Sequence, residues 1–263
     1  MSIVSLDDYI AATRQRVTYS KSGTRTTSTA VYASLFDLPG NPAGVVLGVG
    51  NTANGVVHTD ATAGYPAINS FAGGAVGYLG SVQFSSSVAC RIALFDCLFS
   101  AGAYAFNANT TLASQPSYSS RVPGGTDFTN IELWVEVATT LTGNLAVTVE
   151  YTNQDGVTGR IASLTIPSGV FGRNWQIPLQ VGDTGVQRVN RIQGATATAG
   201  TFNIHVMRRL WNGRVRVAND GDVHDLFKTG LPQVFDTSAL RLLVAPDSTS
   251  SGSPEFQFEI VHK

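Results

Sequence analysis

Period-two alternation of apolar and polar residues runs through the second half of the chain, and it leaves little room for anything but β-structure. In residues 144–151, Leu145, Val147, Val149 and Tyr151 alternate with Ala146, Thr148 and Glu150. Successive side chains of a strand point to opposite faces, so this spacing puts the four large residues on one side of a sheet. Trp175, Ile177, Leu179 and Val181 repeat the pattern, as do Phe202, Ile204 and Val206. His205 falls out of phase with its neighbours and reads as a surface residue. Near the end, Leu240, Leu242 and Val244, then Phe256, Phe258 and Ile260, flank the loop PDSTSSGSP and read together as a hairpin. Clusters of Gly, Pro, Asn and Ser separate these runs at short intervals. The expectation is an all-β chain of antiparallel strands, a β-sandwich of jelly-roll-like kind.

The first half is less regular. Residues 40–80 hold ten of the 27 glycines, in phrases such as GNPAGVVLGVG, which suits short strands and tight turns better than helices. Residues 5–17 are the best helix. Ser5 caps it, Asp8 stands three residues on, and Leu6, Tyr9, Ile10, Thr13 and Val17 share one face. Asp7 and Asp8 in its first turn and Arg14 and Arg16 in its last suit the helix dipole. The polar stretch YSKSGTRTTSTA that follows reads as a linker or an extended arm. It carries no acid between Tyr9 and Phe36, so it is either a solvated arm or one that docks on an acidic neighbouring subunit. The expected organisation is a helix and arm over 1–27, a Gly-rich β lobe over 28–127 and a β-sandwich lobe over 128–263. The boundary falls near Pro123–Thr126, and the last two lobes also read as one continuous domain.

Composition enters here. Charged residues are 13% of the chain against about a quarter in an ordinary globular protein. The surface must then be built from hydroxyls, amides, glycine and apolar atoms, which fits either a neutral Thr-rich β protein or a surface covered by partners. A net charge of −1 sets up no field toward nucleic acid or anionic lipid, so neither is an expected partner. No apolar run approaches the ~20 residues that span a bilayer. The start MSIVSLDDYI lacks the basic and apolar regions of a signal peptide, which predicts synthesis and folding in a cytosol. Cys90 and Cys97 would lie about 23 Å apart on one strand, or nearly two turns apart on a helix, and neither spacing allows a bridge.

Motifs that carry chemistry are few. The four histidines, His58, His205, His224 and His262, have no metal-ligand spacing, and no G-x-S-x-G elbow occurs. A Ser-His-acid triad assembled across the fold stays open, because triads are not local in sequence. GVGNTANG at 48–55 lacks the Lys-Ser/Thr ending and the helix of a phosphate loop. NDGDVHD at 219–225 gathers Asp220, Asp222 and Asp225, but without the spacing of a twelve-residue calcium loop. No catalytic, cofactor-binding or metal-binding set is therefore expected. Arg208, Arg209 and Arg214 around Trp211 have the composition of an interface hot spot, and with Arg14 and Arg16 they form the candidate contact residues.

The run from Asn174 to Ile192, the run AGTFNIHVMRRLW at 199–211 and the Thr/Gly-rich segment near the end resemble virion structural proteins of tailed bacteriophages. More narrowly they are similar to head decoration (cement) and minor capsid proteins, over residues 128–263. The resemblance implies a β-sandwich or jelly-roll subunit, a homo-oligomer and most often a trimer, with a major capsid protein or other virion proteins as partners. It implies residence in the virion after synthesis in a host bacterial cytoplasm, and no catalytic residue. A tail or connector component is an alternative, as is a receptor- or carbohydrate-binding β-sandwich with Tyr65, Tyr104 or Tyr118 as an exposed platform.

Overall fold

A computed structural model describes residues 3–263. The strands are β1 (Thr13–Lys21), β2 (Tyr32–Ser34), β3 (Gly40–Asn41), β4 (Gly77–Ser86), β5 (Cys90–Ala105), β6 (Asn109–Thr111), β7 (Ile131–Thr142), β8 (Leu145–Asn153), β9 (Arg160–Ile166), β10 (Arg173–Ile177), β11 (Val186–Ala195), β12 (Ala199–Val215), β13 (Asp220–His224), β14 (Gln233–Val234), β15 (Leu240–Pro246) and β16 (Pro254–His262). Two short helices, α1 (Leu6–Ala11) and α2 (Leu226–Thr229), complete the regular α-structure. The fold is all-β and its ladders are antiparallel. No helix among the described residues is long and apolar enough to cross a membrane.

The chain divides into two units, with boundaries at 47/48, 58/59, 96/97 and 209/210. In the unit that holds both termini, one sheet runs in the order β13-β4-β16-β1-β3. Its inner face is set by the alternation: Val17 and Tyr19 on β1, Val82 and Phe84 on β4, and Phe256, Phe258 and Ile260 on β16 are all buried in one cluster. Strand β15 supplies a further layer. It pairs with Cys90–Asp96 of β5 on one side and with β2 on the other, and every one of its residues is buried.

Three expectations change in this unit. Helix α1 stops at Ala11, although its cap is as read, with Ser5 Oγ accepting from the Asp8 N–H at 3.1 Å. Thr13 to Lys21 are strand because Val17 and Tyr19 follow a period of two, with β-branched Thr13 and Thr18 beside them. The 3.6-residue spacing from Leu6 to Val17 had joined two elements. Residues 1–27 are therefore not a detached arm where they are described. β1 is bonded to β16 from Thr13 to Ser20 and to β3 at its end, and Arg25 and Thr27 bond to Ser251 and Thr249. Finally, β15 and β16 do not form a hairpin. Each pairs elsewhere, β15 with β5 and β2, β16 with β4 and β1, and the loop between them carries the chain from one sheet to another.

The other unit, residues 48–58 and 97–209, contains the sheet β6-β11-β8-β9 and the ladder β10-β7-β12. Leu145, Val147, Val149 and Tyr151 of β8 face its core, as their spacing requires. The alternation after Trp175 breaks off at Pro178, which has no N–H to give the ladder, and Val181 ends up in solvent. The Pro123–Gly125 turn lies inside this unit rather than between lobes, with Gly124 and Gly125 in the left-handed region that a side chain would resist. Both cysteines lie in β5, free and buried.

These placements give a direct comparison of two truncations. Removing residues 1–11 takes away only α1 and should leave cooperative melting by circular dichroism with a modest loss. Removing residues 1–21 also deletes a strand bonded on both sides, and should abolish the transition of that unit. Tyr19→Ala alone should cost about 3–5 kcal/mol. Identical melts for the two truncations would contradict the assignment of β1 to the core.

Candidate functional site

The residues singled out in the sequence do not converge. Arg14 bonds Glu259 at 2.6 Å and lies 4.6 Å from the centre of the Tyr9 ring, and Arg16 is exposed on the outer face of β1. Arg209 grips Glu132 with two bonds of 2.9 and 3.0 Å. Arg214 is exposed and 3.2 Å from Asp247. Arg208 and Trp211 are buried, which removes them from the contact surface as the fold stands. The reason is that β12 is covered on both faces from Phe202 to Arg208, so alternation does not bring every second residue to solvent. The Trp211 ring packs edge-on against Phe84, and its N–H donates to His224 Nδ1 at 2.9 Å.

The Asp-rich segment is divided among separate tasks. Asp225 caps α2 by accepting from the Phe227 and Lys228 N–H groups. Asp222 lies 3.4 Å from His224 and 3.6 Å from Lys228. Among the described residues, no group of three His, Cys, Asp or Glu side chains is placed to hold a metal. The Gly-rich segment at 48–55 is a turn in which Asn51 Oδ1 accepts from the N–H groups of Ala53 and Asn54.

The arrangement closest to catalytic chemistry lies in the interior of the second unit. Ser100 on β5, His205 on β12 and Glu136 on β7 form a chain of hydrogen bonds, Ser100 Oγ to His205 Nδ1 at 2.8 Å and His205 Nε2 to Glu136 Oε2 at 3.0 Å. The amides of Asn174 and Asn203 also reach Glu136, each at 3.4 Å. With Nε2–H donated to the carboxylate, Nδ1 is left to accept the serine proton, which is the nucleophile-base-acid order of a hydrolase. Access decides against that chemistry. Ser100 and His205 are 0% exposed, and the Ser100 N–H and C=O are both bonded to Val56. No face of the serine oxygen is open to an acyl group. His205 was read as a surface residue, and burial of both faces of β12 corrects that reading. The one sequence signal for the array is the polar residues inside three apolar strands, Ser100 in CLFSAGA, Glu136 in LWVEVA, and Asn203 and His205 in FNIHVM, lying far apart along the chain.

A second polar knot fixes the loop before β11. Asp183 accepts from Tyr151 Oη at 2.6 Å, from Asn153 Nδ2 at 2.8 Å and from Arg160 Nε at 2.8 Å. Burial alone would raise its pKa, but the bonds from Arg160, Asn153 and Tyr151 outweigh it and hold the carboxyl down at about 2. The tyrosines proposed as an exposed glycan platform are placed otherwise: Tyr65, Tyr104 and Tyr118 are all buried. Tyr118 lines a cleft of about 580 Å³ with Phe99, Phe128 and Arg188, and its hydroxyl is spent on the Val186 carbonyl.

No protein-family model and no curated protein matches the chain. Among solved structures, the VP2 subviral particle of infectious bursal disease virus matches with 11% identity and a TM-score of 0.23, over 99% of this chain and 82% of that one. The Gx strain of the same virus matches with 8% identity and a TM-score of 0.23, over 96% and 80%. Likeness at that TM-score carries no argument about fold or function.

Two measurements check the two polar groups. His205→Ala removes the shortest of the hydrogen bonds described for the buried Glu136 carboxylate and leaves a cavity, and should cost roughly 3–5 kcal/mol in denaturant melts, while native protein treated with a fluorophosphonate should gain no mass at Ser100. An adduct there would show the serine to be accessible. For Asp183, the folded pKa lies below the ordinary 3.8, so its stabilisation is present above about pH 4 and is lost as pH falls toward 2. Asp183→Asn should lower the melting temperature at neutral pH and flatten the profile between pH 4 and 2. An unchanged profile would contradict the role given to Asp183.

Proposed function

We propose that the protein is a non-enzymatic structural component of a virion, a homo-oligomer that binds a capsid and stabilises it as a decoration or minor capsid protein. The observation that carries the reading is how the few charges are used. Arg14 is held by Glu259, Arg25 by Asp37, Arg160 by Asp183, Arg209 by Glu132 and Lys263 by Asp8, each pair inside one unit. Charged residues are only 13% of the chain, and Val4, Ile10, Val46, Val181 and Phe227 stand largely exposed. An isolated enzyme gains nothing from such a surface, whereas a subunit that spends its life against neighbours does. The resemblance of residues 128–263 to phage decoration and minor capsid proteins supports the capsid as the partner, the trimer as the assembly and the virion as the location.

The mechanism is mechanical. Each copy contributes a few kcal/mol of weak contact, and symmetric repetition turns many such contacts into a clamp across neighbouring capsid subunits. The test mixes purified protein with particles that lack it. Co-sedimentation at a fixed ratio and a higher temperature of particle disruption are expected. Protein that stays in the supernatant and leaves the disruption temperature unchanged would overturn the reading.

A further inference from the structure

The two helices of the first unit leave large apolar side chains in solvent. Leu6 is 60% exposed, Ile10 65% and Phe227 82%, and Val4, just before the Ser5 cap of α1, is 85% exposed. Both helices are anchored at one place on β4. The Tyr9 ring of α1 closes over Gly80, where a Cβ would stand 3.1 Å from its hydroxyl. Thr229 of α2 donates to the Leu79 carbonyl at 3.0 Å. The two anchors are therefore neighbours on one strand, at Leu79 and Gly80. A helix of six residues is marginal by itself in water, and nothing is gained by turning Leu6 and Ile10 outward unless something covers them.

Summed over both helices and the residue before α1, the four side chains present on the order of 500 Å², more than half of the ~800 Å² per partner in a standard interface. Charge says what fits there. Asp7 is exposed on α1 with no ion-pair partner among the described residues, and Lys228 on α2 is exposed and only loosely held, 3.6 Å from Asp222. A matching partner must bring apolar side chains together with a cation for α1 and an anion for α2. We infer that the partner is a second copy of this chain, docked so that α1 of one copy lies on α2 of the next and Asp7 meets Lys228 across the contact. Repeated through a rotation that closes, the same contact builds a symmetric oligomer. This deepens the self-association in the proposed function, and its test needs no particle.

The experiment is sedimentation of the purified full chain over a range of concentrations. A dimer or trimer is expected, and Phe227→Asp and Ile10→Asp should each shift it toward monomer without moving the melting transition. Phe227→Ser stands in for either variant that fails to fold. Asp7→Lys and Lys228→Asp should each weaken association about tenfold, and the double exchange should restore most of it. A wild-type monomer at every concentration, or a double exchange no better than the single changes, would overturn the inference. The two readings fail separately. A monomer that still co-sediments with particles overturns only this one, and an oligomer that ignores particles overturns only the capsid reading.

Discussion

A strand in an antiparallel ladder hides one face by pairing its alternate side chains with a core, and it can hide both only if a second layer covers it. β1, β4, β8 and β16 follow the first pattern over most of their length, with apolar residues inward and polar ones outward, until ends such as Thr152 and Asn153 of β8 and Val261 of β16 are buried as well. β5, β12 and β15 follow the second over most of their length. Any polar residue in such a strand must find its partners inside. Asp96 does so through Ser238 Oγ at 2.8 Å and the Ala239 N–H at 3.0 Å. Ser100, His205 and Glu136 do so through one another. The same constraint that makes the array look like a relay also seals it, because a lone buried carboxylate would cost far more than the chain of bonds that satisfies it.

The constraint also shapes the outside. Charges are scarce, and several of them are drawn into ion pairs that fasten loops and strand ends, as Asp183 fastens the turn before β11 and Asp8 ties α1 to Lys263. Between the scattered charges, the outer faces carry hydroxyls, amides and a few large apolar side chains. Such faces bind through shape and desolvation rather than through long-range attraction. That property suits a subunit placed on a lattice, where position is set by many repeated contacts.

The alternating strands were legible in the sequence because one-sided burial writes a period of two into β8 and β16, while large apolar residues at every second position marked β12 and β15 although both of their faces are covered. Their partners were not. β15 and β16 lie next to each other in the chain with a turn-rich loop between them, yet complete burial of β15 demands a layer that a hairpin with β16 would not give it. β1 was hidden by its neighbour: a good N-cap at Ser5 and an apolar residue at Val17 extended a helix across a strand boundary that only Tyr19 could have revealed. The candidate sites suffered from distance. Glu136 and His205 meet through the pairing of β7 with β12, and nothing local in either segment announces the contact. Trp211 had the composition of a hot spot, but composition does not distinguish an interface from the core beside Phe84.

The claim on which the account rests is that this protein works by being placed among copies of itself on a particle. Electron-microscopic reconstruction of particles carrying the protein tests it most directly. The account requires ordered density for symmetric copies on the lattice, with α1 of each copy against α2 of its neighbour. Particles without density for the protein, or density in which both helices face solvent, would contradict it.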